Sequence, residues 1–102
     1  MTRHFYILLI LFCTSFSSYS QDATDEQLGQ HYFSNAAFEK ATPYFEKLHK
    51  KYKTKFYYNR LLTCYKEQDR LKEAEKLISK QSKKFPQDIS YTLDLGKIFE
   101  QT

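Results

Sequence analysis

From about residue 22 onward, large apolar residues recur three and four positions apart, the period of a helix that buries one face. Leu28, Gly29, Tyr32 and Phe33 form one stripe, and Phe38, Ala41, Phe45 and Leu48 form the next. Between the stripes lie the polar pairs Ser34-Asn35 and, later, Gln68-Asp69, turns short enough to join antiparallel helices. The pattern then repeats. A shift of 33 residues pairs Leu28 with Leu61, Tyr32 with Tyr65, Phe38 with Leu71, Ala41 with Ala74 and Phe45 with Ile78. A shift of 34 pairs Leu61 with Leu95, Leu62 with Gly96 and Tyr65 with Phe99. That period belongs to helical solenoids, and it divides the chain into units at about 22–54, 55–87 and a partial 88–102. The fold class expected is all-α, an antiparallel helix-pair solenoid of about two and a half repeats.

Local signals refine the boundaries. Thr24-Asp25-Glu26-Gln27 reads as a capping box with Thr24 as N-cap, its two acids favourable in a first turn. Asn35 and Asp69 are placed to cap the second helix of each unit. Lys50, Lys51, Lys83 and Lys84 suit helix C-termini, where positive charge offsets the dipole. Phe85-Pro86-Gln87-Asp88 interrupts the chain, and Asp88 can cap a last helix over about 89–101. Pro43 removes a donor inside a helix and should kink it. Gly29 and Ala41 provide small surfaces for close backbone approach. Leu62 in place of the glycine holds the second pair further apart, or leaves it leaning on Ala74. Leu93, Leu95, Ile98 and Phe99 are expected to lack a following helix, an edge suited to further repeats or to self-association through the uncapped C-terminal helix.

The N-terminus follows a different logic. Arg3 and His4 precede an apolar run that fades through Cys13 and Phe16 into Ser17-Ser18-Tyr19-Ser20. Positive start, apolar core and small residues at Ser18 and Ser20 describe a secretory signal at 1–20 cut before Gln21, leaving a domain at 21–102 exported to the periplasm or beyond. Residues 5–16 are too short for the ~20 apolar residues of a spanning helix. Membrane contact is therefore expected only if the signal stays uncleaved. Lipidation at Cys13 is disfavoured by the bulky Phe12 before it.

Composition narrows the function classes. A chain of 102 residues holds one small domain. Two Gly and two Pro against nine Tyr and nine Phe disfavour hairpin-rich folds and Gly-loop phosphate sites. Losing Arg3 lowers the net charge from +4 to +3, too mild an excess for a nucleic-acid partner. Beyond the signal Cys64 is the one cysteine, so no internal disulfide can form there and packing must hold the fold; an exposed thiol would instead pair two chains.

The register of these positions resembles the tetratricopeptide repeat. Unit one reads Leu28, Gly29, Tyr32, Ala41, Phe45; unit two reads Leu61, Leu62, Tyr65, Ala74, Ile78, Pro86; a third begins Leu95, Gly96, Phe99. Unit one departs from the pattern in having Lys53 where the closing proline falls. The resemblance implies a protein-binding scaffold or adaptor whose first helices line a concave face. By position that face carries Glu26, Gln30 and Phe33, then Asn59, Thr63 and Lys66, then Leu93 and Lys97. A protein or peptide partner is implied, with no cofactor. The alternative expectation is the N-terminal part of a larger exported or membrane protein whose activity lies downstream of residue 102.

Catalytic signals are weak. No GxSxG elbow, HExxH or CxxC occurs, and an enzyme is not expected. His31, His49 and Cys64 would be the ligands of a small metal protein, but as ordinary surface, helix-end and packing residues they need no such role. Asp25/Glu26 and Glu73/Glu75 read as solvated helix surface. Lys47, Lys50, Lys51, Lys53 and Lys55 form the densest basic run, which spans a helix end and the next helix start and could hold an acidic peptide or lipid headgroups.

Overall fold

A computed structural model describes residues 21–101; the N-terminal apolar stretch, Cys13 and Ser18 and Ser20 of the expected cleavage site lie outside the described residues. Within them the chain is all-α, with no strand. Helix α1 occupies 21–34, followed by α2 (Phe38–Tyr52), α3 (Lys55–Glu67), α4 (Leu71–Lys84) and α5 (Ser90–Gln101). Among the described residues no helix is long and apolar enough to cross a membrane.

Successive helices run antiparallel. Asp22 and Asp25 near the start of α1 meet Lys51 and Lys47 near the end of α2, while Tyr32 stacks on Tyr44 at the opposite end. Helix α2 returns against α3 through Glu46 with Tyr65 and Thr42 with Gln68. Alternate helices are parallel neighbours: Gln30 of α1 meets Arg60 of α3, and Tyr58 of α3 meets Asp94 of α5. On the other side His49 of α2 meets Gln81 of α4.

The apolar stripes converge in one core. Ala41, Phe45 and Leu48 from α2 meet Tyr58, Leu61, Leu62, Cys64 and Tyr65 from α3, then Ala74, Leu77 and Ile78 from α4 and Tyr91 and Ile98 from α5. Phe45 is wholly buried, which by itself stabilises the fold by roughly 1.5–3 kcal/mol. Gly29 is buried because α1 and α2 nearly touch there: a Cβ at Gly29 would lie 3.1 Å from Tyr44 Cβ and 3.2 Å from Phe45 Cζ. The close approach expected at the glycine exists, with Tyr44 and Phe45 as its partners.

The helix ends correct the capping expectations. Thr24 lies inside α1, which is already helical at 21, so it is not an N-cap. Asn35 and Asp69 do not cap the following helices either, since α2 and α4 start from Ala37 and Arg70 without a side-chain cap. The preceding helices end instead in left-handed turns at Ala36 (φ 57°) and Asp69 (φ 58°). Ala37 N–H bonds Tyr32 O at 2.8 Å and Ala36 N–H bonds Phe33 O at 3.0 Å; Arg70 to Tyr65 (2.8 Å) and Asp69 to Lys66 (3.1 Å) repeat the pair 33 residues later. These are Schellman closures, which satisfy carbonyls that the helix itself leaves free. The Asn35 amide adds a bond to His31 O at 3.0 Å. Helix α2 ends in a left-handed residue as well, Lys53 (φ 53°), whose N–H bonds His49 O. The cap expected at Asp88 is present: its Oδ1 accepts Ser90 N–H at 3.0 Å.

Pro43 sits within α2 on its exposed side. Immediately before it, Thr42 Oγ1 donates to Phe38 O at 2.6 Å, and Gln68 Nε2 donates to Thr42 Oγ1 (2.6 Å) and Cys64 O (2.9 Å). This buried polar link fastens α2 to the end of α3.

The last helix is better covered than its sequence implies. Ile98 is 1% exposed and Leu95 packs against the core, whereas Leu93 is 62% exposed and Phe99 54%. Gly96, in register with Gly29, would have no atom within 4 Å of an added Cβ.

Candidate functional site

Helices α1, α3 and α5 lie side by side, and the eight residues assigned to a partner-binding face are distributed over them. Asn59, Leu93 and Lys97 are exposed; Glu26, Gln30, Phe33, Thr63 and Lys66 are half-buried. The half-buried members on α1 are held by α2 and α3. Phe33 meets Phe38 and Phe45 edge-on, with centroids 5.4 and 6.0 Å away. Gln30 Oε1 accepts Arg60 Nε–H at 3.1 Å, and Glu26 faces the Tyr57 phenol, whose pKa is pushed up by burial and then by that carboxylate.

Arg60 and Phe56 organise this face, although neither was expected on it: Phe56, interleaved with the basic run, reads from the sequence as an aromatic turned inward, yet is 44% exposed. The Arg60 guanidinium lies 4.4 Å from the Phe33 centroid and 5.0 Å from that of Phe56. Phe56 and Arg60 are four apart on α3, so they share a helix face, and that spacing of an aromatic and an arginine is the signal that would have found them. A partly exposed guanidinium over two rings gains about 0.5–2 kcal/mol. No hydrogen bond engages its Nη groups among the described residues, so they can meet a partner carboxylate or carbonyl, while Phe56, 44% exposed, offers an apolar edge.

The remaining candidates occupy separate environments. His31 is exposed beside Tyr32. His49 is not a surface residue: it is 8% exposed, with Nε2 2.9 Å from Gln81 Oε1. The Gln81 amide nitrogen points to Lys53 O (3.2 Å) and the Tyr91 hydroxyl (3.4 Å). Its oxygen must therefore accept, and His49 carries its proton on Nε2. Burial, opposed by this hydrogen bond and reinforced by Lys53 and Lys84, holds the imidazole below its ordinary pKa. Cys64 is buried, and burial pushes its thiol pKa up. No group of three or more His, Cys, Asp or Glu among the described residues could hold a metal.

The carboxylates divide. Asp25 is 4% exposed, contrary to the surface expected, and Lys47 Nζ lies 2.8 Å from its Oδ2. That contact is not aligned as a hydrogen bond, so the pairing is coulombic. Glu26 is half-buried, whereas Glu73 and Glu75 are on the surface, Glu73 paired with Arg70. The basic run divides too: Lys47, Lys51 and Lys55 pair with Asp25, Asp22 and Asp88, and Lys50 and Lys53 enter no ion pair among the described residues. Compared with known proteins, the chain matches no family model, no curated protein and no solved structure.

Proposed function

We propose that the chain is an exported, non-catalytic scaffold or adaptor of tetratricopeptide-like repeats, which takes a protein or peptide partner on the face of α1, α3 and α5. The observation that carries this reading is the coincidence of two periods. Apolar positions recur every 33–34 residues, and the left-handed closures at Ala36 and Asp69 recur at 33. Each unit is thus a helix hairpin of one design, and stacked hairpins present their first helices side by side. Asn59, Leu93, Lys97, Phe56 and Arg60 supply that face with mixed polar, apolar and cationic groups suited to peptide recognition. Export rests on the order of Arg3, the apolar run and the small residues before Gln21.

A photocrosslinking side chain at Asn59 or at Leu93, in the full chain expressed in its own cells, tests the binding face. Discrete adducts from both positions and none from Lys72 on α4 are expected. Adducts from Lys72 alone would refute the assignment. The N-terminal residue of the recovered protein, read by mass spectrometry, tests export, with Gln21 as the expected start.

A further inference from the structure

Helices α2 and α4 enclose a groove of about 600 Å³ on the side of the molecule opposite the α1, α3, α5 face. Leu61 and Leu77 give its floor an apolar part, and the nearly buried His49–Gln81 pair lines it as well. Its rim is cationic: Lys50 and Lys53 stand on one wall and Lys76, Lys80 and Lys84 on the other. The two acids that line it, Glu46 and Glu73, are already engaged by Tyr65 (2.7 Å) and Arg70 (2.8 Å).

None of the five rim lysines forms an ion pair among the described residues, although Lys47, Lys51, Lys55 and Arg70 all do. The helix dipole accounts for Lys50 and Lys84, which lie in last turns. It does not account for Lys76 and Lys80, which lie further inside α4, because the effect fades beyond the final turn. Like charges gathered around one concavity repel each other and raise the local concentration of anions.

We infer that this groove binds an acidic peptide segment of a partner protein, its carboxylates meeting Lys50, Lys53, Lys76, Lys80 and Lys84 and its apolar side chains resting on Leu61 and Leu77. A narrow chain fits where a flat anionic membrane cannot follow the walls inward. Lys76 to Lys84 spans about 12 Å of helix, the reach of about four extended residues, so a short segment bridges the rim.

The test is fluorescence anisotropy of the full chain with a labelled octapeptide of six glutamates and two leucines, at ionic strengths of about 0.01–0.15 M. Binding that weakens with salt is expected, and Lys80→Glu with Lys84→Glu should weaken it at least about tenfold. Lys72→Glu with Lys83→Glu changes the net charge equally outside the groove and should cost less than about threefold. All four lysines are exposed, so the helical circular dichroism of both variants should match the parent. Equal losses in the two double variants would overturn the inference, since attraction would then follow net charge alone. So would absence of peptide binding beside tight binding to vesicles containing phosphatidylglycerol, which would make the lysines a membrane contact.

Discussion

Gly29 and Gly96 hold equivalent places in the repeat, and the same substitution should act on them with opposite sign. Replacing glycine by alanine inside a helix gains about 0.8–1 kcal/mol, because alanine loses less backbone entropy on folding. At Gly96 nothing opposes that gain, as no atom lies within 4 Å of the new methyl. At Gly29 the methyl would sit 3.1 Å from Tyr44 Cβ and 3.2 and 3.3 Å from Phe45 Cζ and Cε2, all inside the ~3.5–4.0 Å optimum for carbon pairs. Neither neighbour yields easily. Tyr44 Cβ moves only with the α2 backbone, and Phe45 is buried between Phe33 and Tyr57. Overpacking of this kind costs about 1–3 kcal/mol, so Gly29→Ala should destabilise by about 1 kcal/mol net. Gly96→Ala should stabilise by about as much, placing the two variants roughly 2 kcal/mol apart. At about 4–8 °C per kcal/mol for a domain of this size, thermal melts at 222 nm separate them readily. A Gly29→Ala melting temperature raised as far as that of Gly96→Ala would refute the packing of α1 on α2 described here. A lowered one for Gly96→Ala would show that another surface covers α5.

Other perturbations test separate links. Ala36→Gly should stabilise by about 1 kcal/mol, since a left-handed φ strains alanine and not glycine; an unchanged urea midpoint would count against the Schellman closure. Gln68→Ala should cost about 0.5–1.5 kcal/mol by removing the amide's bonds to Thr42 Oγ1 and Cys64 O, read from the same denaturation curves; a neutral result would show that water replaces the amide. Tyr58→Phe removes a 2.9 Å bond to Asp94 and should cost about 1.5–3 kcal/mol, with amide exchange in α5 rising before the rest of the chain. Because the folded His49 pKa is lowered, the unfolded chain takes up the proton first, so stability is full above the ordinary value of 6.5 and falls as pH drops below it. His49→Gln should flatten that slope while leaving a separate loss below about pH 4, where Asp22 and Asp88, held low by their hydrogen bonds, give up their contribution. A slope unchanged in the variant would reassign it to other groups.

What the sequence determined by itself was periodic. Helices, their antiparallel succession and buried positions such as Ala41, Phe45, Leu61, Tyr65, Ala74 and Ile78 follow from spacings of three, four and 33, because a helix turns each residue through a constant angle. Gly29 was legible for the same reason. Choices of partner were not, since they depend on distances between residues about 30 apart in the chain. Asp25 looked solvated until α2 folded back and set Lys47 over it. His49 is the helix-end residue its sequence suggests, but its burial appears only once Gln81 arrives from α4. Ion pairs took Lys47, Lys51 and Lys55 out of the basic run and left Lys50 and Lys53 to face α4. Arg60 joined the α1, α3, α5 face because two rings from different helices close on one guanidinium. Local rotation sets which side of a helix is apolar; the packing of one helix on another decides which charges meet.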